Sequence, residues 1–247
     1  MQKRFIAILA LSFLLASASH AANSPSDAQA GRDVLAKTKD AIVFITAVAK
    51  VTYGGNSHDQ TVECTGMVID PSGLTICSLA DIDPASEMPE DKDTNMKASL
   101  SDVKIVRADN KEYTAKLVLK DPDLDLAFVL PEKQADLPTS FTAVRIGKTP
   151  PVKLLDTVVT VDRLGKEFGR EPMVFTSQIS AIITKPRTFY FTSAQGTSVS
   201  SPSFLLTGEF LGFNLSTMVG SGEDADRVPA LIPADDIRQS AQQVLKK

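Results

Sequence analysis

Cys64-Thr-Gly-Met-Val-Ile-Asp70-Pro-Ser-Gly73-Leu-Thr-Ile-Cys77 is the stretch that decides the fold. Two apolar runs flank Asp-Pro-Ser-Gly. In that turn proline presets φ, aspartate bonds its own backbone and glycine takes a positive φ without strain. A hairpin centred on Pro71-Ser72 sets Gly66 opposite Cys77. Cys64 then lies diagonal to Cys77 on the same face, near the upper end of disulfide reach. A bond and two small buried thiols are both open. No histidine or second cysteine pair stands near them to make a metal site.

Working outward, most of the chain reads as β. Short apolar runs cover Ala41 to Val48, Thr61 to Ile69 and Leu74 to Leu79. Val103 to Arg107 and Tyr113 to Leu119 flank Asp109-Asn110, a second hairpin signal. Further strands are expected at Leu126 to Leu130, Thr157 to Val161, Met173 to Ile183, Thr188 to Thr192, Ser203 to Leu206 and Phe210 to Leu215. Regular short strands with Gly, Pro and Asp turns predict an all-β barrel or sandwich. Two helices frame them. One covers Ala28 to Lys37. The other starts after Pro233, with Asp235 and Asp236 in its first turn and Lys246-Lys247 at its end, which suits the helix dipole. No internal repeat is found. Asp81 to Ser101 reads as a long exposed acidic loop, and Asp121 to Arg145 holds the linker between two halves.

The N-terminus reads as a leader. Lys3 and Arg4 precede the apolar run Ile6 to Leu15, and Ala16-Ser17-Ala18 and Ser19-His20-Ala21 follow as cleavage motifs. The run is short of the roughly 20 apolar residues of a spanning helix. Residues 1–21 are therefore expected to be a signal peptide and 22–30 a flexible tether. The mature chain would work in the periplasm or be secreted, where disulfides are permitted. Losing the leader moves the net charge from -4 to -6, with 24 basic against 30 acidic residues. A mildly acidic chain without a basic run gives no reason to expect nucleic acid. No later apolar stretch is long enough to cross a membrane.

The order of motifs is specific. After the hairpin comes Asp121-Pro-Asp-Leu-Asp-Leu-Ala-Phe-Val-Leu, then Thr176-Ser-Gln-Ile-Ser-Ala-Ile, then Ser200-Ser-Pro-Ser-Phe and Thr207-Gly-Glu-Phe-Leu-Gly-Phe-Asn, and finally Ala230-Leu-Ile-Pro with a helix. This order resembles trypsin-like serine proteases of the HtrA (Deg) type, from about Gly31 to Leu245. The resemblance implies a protease domain over 31–247. It would consist of two six-stranded antiparallel barrels (31–135, and 146–247 with the closing helix), a short N-terminal helix and a cleft between the barrels. No peptide-binding second domain is expected after the helix.

The resemblance also assigns site positions. The family's Thr-Asn-x-His stretch falls on Gly73 to Ile82, with its histidine position at Ala80. Its Asp-Leu-Ala motif is present, with the aspartate at Asp125. Anchored on Pro202, Gly-Asn-Ser-Gly-Gly-Pro aligns with Thr197-Ser-Val-Ser-Ser-Pro, so the nucleophile position is Val199. Alanine takes no proton and valine holds no nucleophilic atom. Thr197 replaces a glycine of the oxyanion loop. A slip of one residue makes Ser198 the fallback nucleophile, still without a base. The only histidine after the leader is His58, in the polar run Gly54 to Gln60 and on the wrong side of the hairpin, where a solvated loop residue is expected. No lysine stands out as a base.

These readings lead to a non-catalytic homologue that binds peptide or protein, with no cofactor and no metal. The alternatives are a serine hydrolase using Ser198 and a structural or partner subunit of an envelope complex. The acidic run Asp81, Asp83, Glu87, Glu90, Asp91 and Asp93 fits no calcium-loop spacing and reads as solvated charge. Asn214-Leu-Ser matches a glycosylation acceptor but lies in a strand-like run and is expected bare. Ligand and oligomeric state are not legible.

Overall fold

The computed structural model describes residues 25–53, 56–84, 97–194, 196, 199–219 and 226–245. Helix α1 (Pro25–Thr38) leads into β1 (Ile42–Tyr53), β2 (Asn56–Val68), β3 (Thr75–Ser78), a one-turn helix α2 (Leu79–Ile82), β4 (Lys97–Val106), β5 (Glu112–Asp121) and β6 (Leu126–Pro131). These six strands close a barrel in the order β1-β2-β3-β6-β5-β4. After the connection come β7 (Thr157–Arg163), β8 (Pro172–Ile183), β9 (Phe189–Thr192), β10 (Ser201–Leu205), β11 (Phe210–Val219), β12 (Asp226–Pro233) and helix α3 (Ala234–Leu245). They close a second barrel, β10-β11-β12-β9-β8-β7. Among the described residues no helix is long and apolar enough to cross a membrane.

The hairpin forms as its turn chemistry predicts. Gly73 has φ +90 and donates to the Asp70 carbonyl at 2.9 Å. Met67 opposes Ile76 and Val68 opposes Thr75, the register that sets Gly66 against Cys77. Cys64 and Cys77 are nevertheless free thiols, both buried. They lie diagonally across the hairpin, close enough for their side chains to hydrogen-bond. The Cys77 thiol beside Cys64, and then burial, push the Cys64 thiol well above its ordinary pKa.

Four expectations need correction. Residues 25–30 are helix rather than tether, because Pro25 opens α1 and Asp27 sits in its first turn. The stretch from Asp81 is not all exposed loop: Ile82 and Asp83 are buried, and 97–101 belong to β4. Residues 85–96 lie outside the described residues. His58 is exposed but stands in β2, opposite Val51, rather than in a loop. Finally, β12 is missing from the strands expected above; it carries Pro229 and Pro233. Those prolines face Ser216 and Gly212. Lacking N–H groups, they fit only the ladder positions that exchange no bonds.

One apolar cluster spans both barrels, beside a further cluster within each. It takes in Met67, Leu126 and Phe128 of the first, Val159, Phe204 and Phe213 of the second, Val34 of α1 and Ile237 of α3. Each fully buried phenylalanine contributes about 1.5–3 kcal/mol. A polar bolt crosses the same junction. The buried Arg163 guanidinium donates to the carbonyls of Ile42 at 2.7 Å and Arg170 at 3.0 Å, and to that of Lys39. Thr65 donates to the Asp162 carboxylate at 2.6 Å. Arg170 bonds Glu63 at 2.7 Å and lies 5.1 Å from the centroid of the Phe44 ring. These bonds hold the facing ends of β2 and β7, and so position the cleft.

Candidate active-site cleft

Asp125 is the centre of the cleft. It sits at the tight entry to β6 with φ +56, and its side chain is fully buried. Its Oδ1 accepts the Ala80 backbone N–H at 2.7 Å. Its Oδ2 accepts the Ser216 N–H and the Ser78 hydroxyl, both at 3.0 Å. The backbone joins in, since Leu79 N–H donates to the Asp125 carbonyl at 3.0 Å. Burial pushes the carboxyl above its ordinary pKa, opposed by these three donors and by the Arg227 cation.

Local sequence explains each donor. Ser78 ends β3 in extended conformation and caps α2, its Oγ accepting Asp81 N–H at 3.2 Å. That turn swings Ala80 N–H onto the carboxylate. Ala80, at the position that the resemblance assigns to the base, is bonded to Asp125 through its backbone N–H. The cation nearest the carboxylate is Arg227, whose Nη1 lies 3.9 Å from Oδ1 and donates to the Ser216 carbonyl at 2.9 Å. Sequence reasoning missed Arg227, Ser78 and Ser216. No motif marks Arg227, which comes from β12 and meets Asp125 only because both barrels close.

Ser200 is the other residue that spacing did not single out. It has φ +63, a conformation that favours glycine, and is buried. The alignment on Pro202 gives this position to the first glycine after the nucleophile. Its Oγ accepts Ser78 N–H at 2.8 Å and donates to the Thr65 carbonyl at 2.6 Å. Its N–H donates to the Asn214 carbonyl at 2.7 Å. Ser200 thus ties β10 to β2 and β3 across the cleft and has no free lone pair aimed at solvent.

Val199 is half-buried. With Thr160, Tyr190, Asn214, Pro229 and Leu231 it lines a cavity of about 10 Å³. That is room for about one water. Thr197 and Ser198 lie outside the described residues. His58 stands seven residues along β2 from Thr65, roughly 23 Å of strand away. Among the described residues no lysine bonds Asp125 or Ser200. Of the acidic run, Asp83 pairs with Lys120 at 2.5 Å and Asp81 is exposed, while Glu87, Glu90, Asp91 and Asp93 lie outside the described residues. No cluster of His, Cys, Asp or Glu among the described residues is placed to hold a metal. The Asn214 amide is engaged inward, donating to the Ser201 carbonyl at 2.9 Å.

Two closed barrels with this polar centre between them match a family model. Residues 64–212 fit the trypsin-like peptidase domain. The chain belongs to the trypsin-like peptidase family. Among solved structures this trypsin-like chain is similar to the HtrA-type protease AlgW, solved with a tripeptide, at 16% identity and a TM-score of 0.59. That likeness covers 87% of this chain and 63% of AlgW. The chain thus spans less than two thirds of AlgW's length. It is also similar to Deg5, at 17% identity and a TM-score of 0.56, over 86% of this chain and 92% of that one. The fold is therefore that of the HtrA-type trypsin-like proteases. A comparison with curated proteins gives no match.

Proposed function

We propose that this trypsin-like chain is non-catalytic and binds peptide or protein segments outside the cytoplasm. One observation carries the reading. The carboxylate that would orient a histidine is bonded by Ser78, Ala80 and Ser216, and Arg227 is the cation beside it. A guanidinium holds its proton at any working pH and cannot serve as general base. Ala80 and Val199, at the base and nucleophile positions that the resemblance assigns, support the same reading. The site outside the cytoplasm rests on the leader in residues 1–21. The test is labelling of the purified mature protein with a fluorophosphonate serine probe. No labelling is expected. Labelling that Ser198→Ala abolishes would favour the serine hydrolase instead.

A further inference from the structure

Helix α3 carries a second stripe beside its core face. Arg238, Ala241, Gln242 and Leu245 stand at i, i+3, i+4 and i+7, and so share one side of the helix. That side borders a groove of about 460 Å³ between α3, the Asp70-Pro71 turn and the connection between the barrels. Ile69, Ala143, Ile146, Ala241 and Leu245 give the groove an apolar wall, and Leu245 is 52% exposed. None of these residues bonds Asp125, so the groove is separate from the cleft centre.

The groove has a direction. Phe141 N–H donates to the Pro71 carbonyl at 2.9 Å and Val144 N–H to the Val68 carbonyl at 2.8 Å, so the connection starts along the hairpin. Thr149 N–H donates to the Asp235 carboxylate at 3.2 Å, and Thr149 Oγ1 accepts Asp235 N–H at 2.9 Å, so it ends at the first turn of α3. Arg145 and Arg238 therefore lie toward the helix start, and Pro71, Ala143 and Leu245 toward the other end. Asp70 stands at that other end, its Oδ1 accepting Ser72 N–H at 2.9 Å. Arg238 gives Nη2 to Asp235 at 2.5 Å, but its Nε is buried without a hydrogen-bond partner. A buried donor left in this state is rare and points to a bound group. Arg145 is exposed and forms no ion pair among the described residues.

We infer that this groove binds a medium-chain carboxylate, a single alkyl chain with an anionic head. The head accepts from Arg238 Nε and from the Arg145 guanidinium, whose planar fork matches two carboxylate oxygens. The tail lies over Ala241 toward Leu245. Arg238 and Leu245 are two turns apart, about 10 Å along the axis, which is the length of an extended octyl chain. Asp70 at the far end repels a carboxylate and so fixes the orientation of the chain. The volume falls within the range of small-molecule sites, an apolar wall with a few convergent polar groups.

The experiment is isothermal titration of the purified chain with straight-chain carboxylates from butanoate to decanoate, below their micelle concentrations. Affinity should rise about two- to fourfold per methylene up to octanoate and then level off. Octanol has the tail without the charge and should bind about tenfold more weakly. Arg145→Ala, at an exposed residue, should weaken octanoate about tenfold and leave octanol unchanged. Leu245→Asp, also at an exposed residue, should weaken both. Octanoate binding that survives Arg145→Ala and Leu245→Asp overturns the site, as does the absence of saturable binding. Tighter binding of a peptide of alternating Leu and Glu overturns the small acid in favour of a protein partner. Tighter binding of phosphatidylglycerol vesicles overturns it in favour of a membrane surface. None of these outcomes bears on the Asp125 cleft, which the fluorophosphonate probe tests separately.

Discussion

Arg227 Nη1 stands 3.9 Å from the Asp125 carboxylate and 2.9 Å from the Ser216 carbonyl, so one side chain faces both polar groups of the cleft. Arg227→Ala leaves a buried carboxylate without its cation and a carbonyl without its donor. The expected loss of stability is about 1–2 kcal/mol, measured by urea denaturation at neutral pH. Arg227→Lys should recover less than half of it, because the compact ammonium cannot match the planar fork.

Asp125 also sets a pH dependence. Burial raises its folded pKa above the unfolded value of about 3.9. The native state then holds a proton that the unfolded chain has lost, so stability falls as pH rises from about 4 through the folded pKa and is level above it. Asp125→Asn carries no such proton. Its stability deficit against the parent should therefore shrink over that window. A deficit that grows with pH would show that the three hydrogen bonds outweigh desolvation.

Ser200 separates strain from bonding. Ser200→Ala loses bonds to Ser78 and Thr65 and keeps the positive φ. It should cost about 1–3 kcal/mol. Ser200→Gly loses the same bonds but relieves roughly 1 kcal/mol of backbone strain. Glycine should be the milder change in thermal melts, and equal losses would remove strain from the account.

Cys64 and Cys77 are buried thiols with no bond between them. The raised Cys64 pKa keeps it protonated at neutral pH. The native reduced protein should not react with Ellman's reagent at pH 8, and both thiols should react in denaturant. Protein isolated from an oxidising compartment that yields no thiols in denaturant would mean that the barrel relaxes to form the bond.

Restoring the two missing groups should not restore turnover. Ala80→His with Val199→Ser supplies a base and a nucleophile, yet Arg227 stays beside Asp125. Peptide p-nitrophenyl ester hydrolysis should remain within about tenfold of blank. A rise of about a thousandfold, the scale that a working triad commands, would refute this view of the cleft.

The sequence by itself determined the local elements and their order. The Asp70 to Gly73 turn fixes its hairpin through proline and glycine geometry, and the apolar runs mark most strands, because those signals lie within a few residues. The family order was legible for the same reason, and it set Ala80 and Asp125 side by side. Only the tertiary structure decided what surrounds them. Arg227 reaches Asp125 because β12 closes the second barrel, on a strand whose prolines hide its β character. Ser200 reaches Thr65 and Ser78 because the barrels dock. Each of these depends on contacts between residues far apart in the chain, and no local pattern of charge or hydrophobicity specifies them.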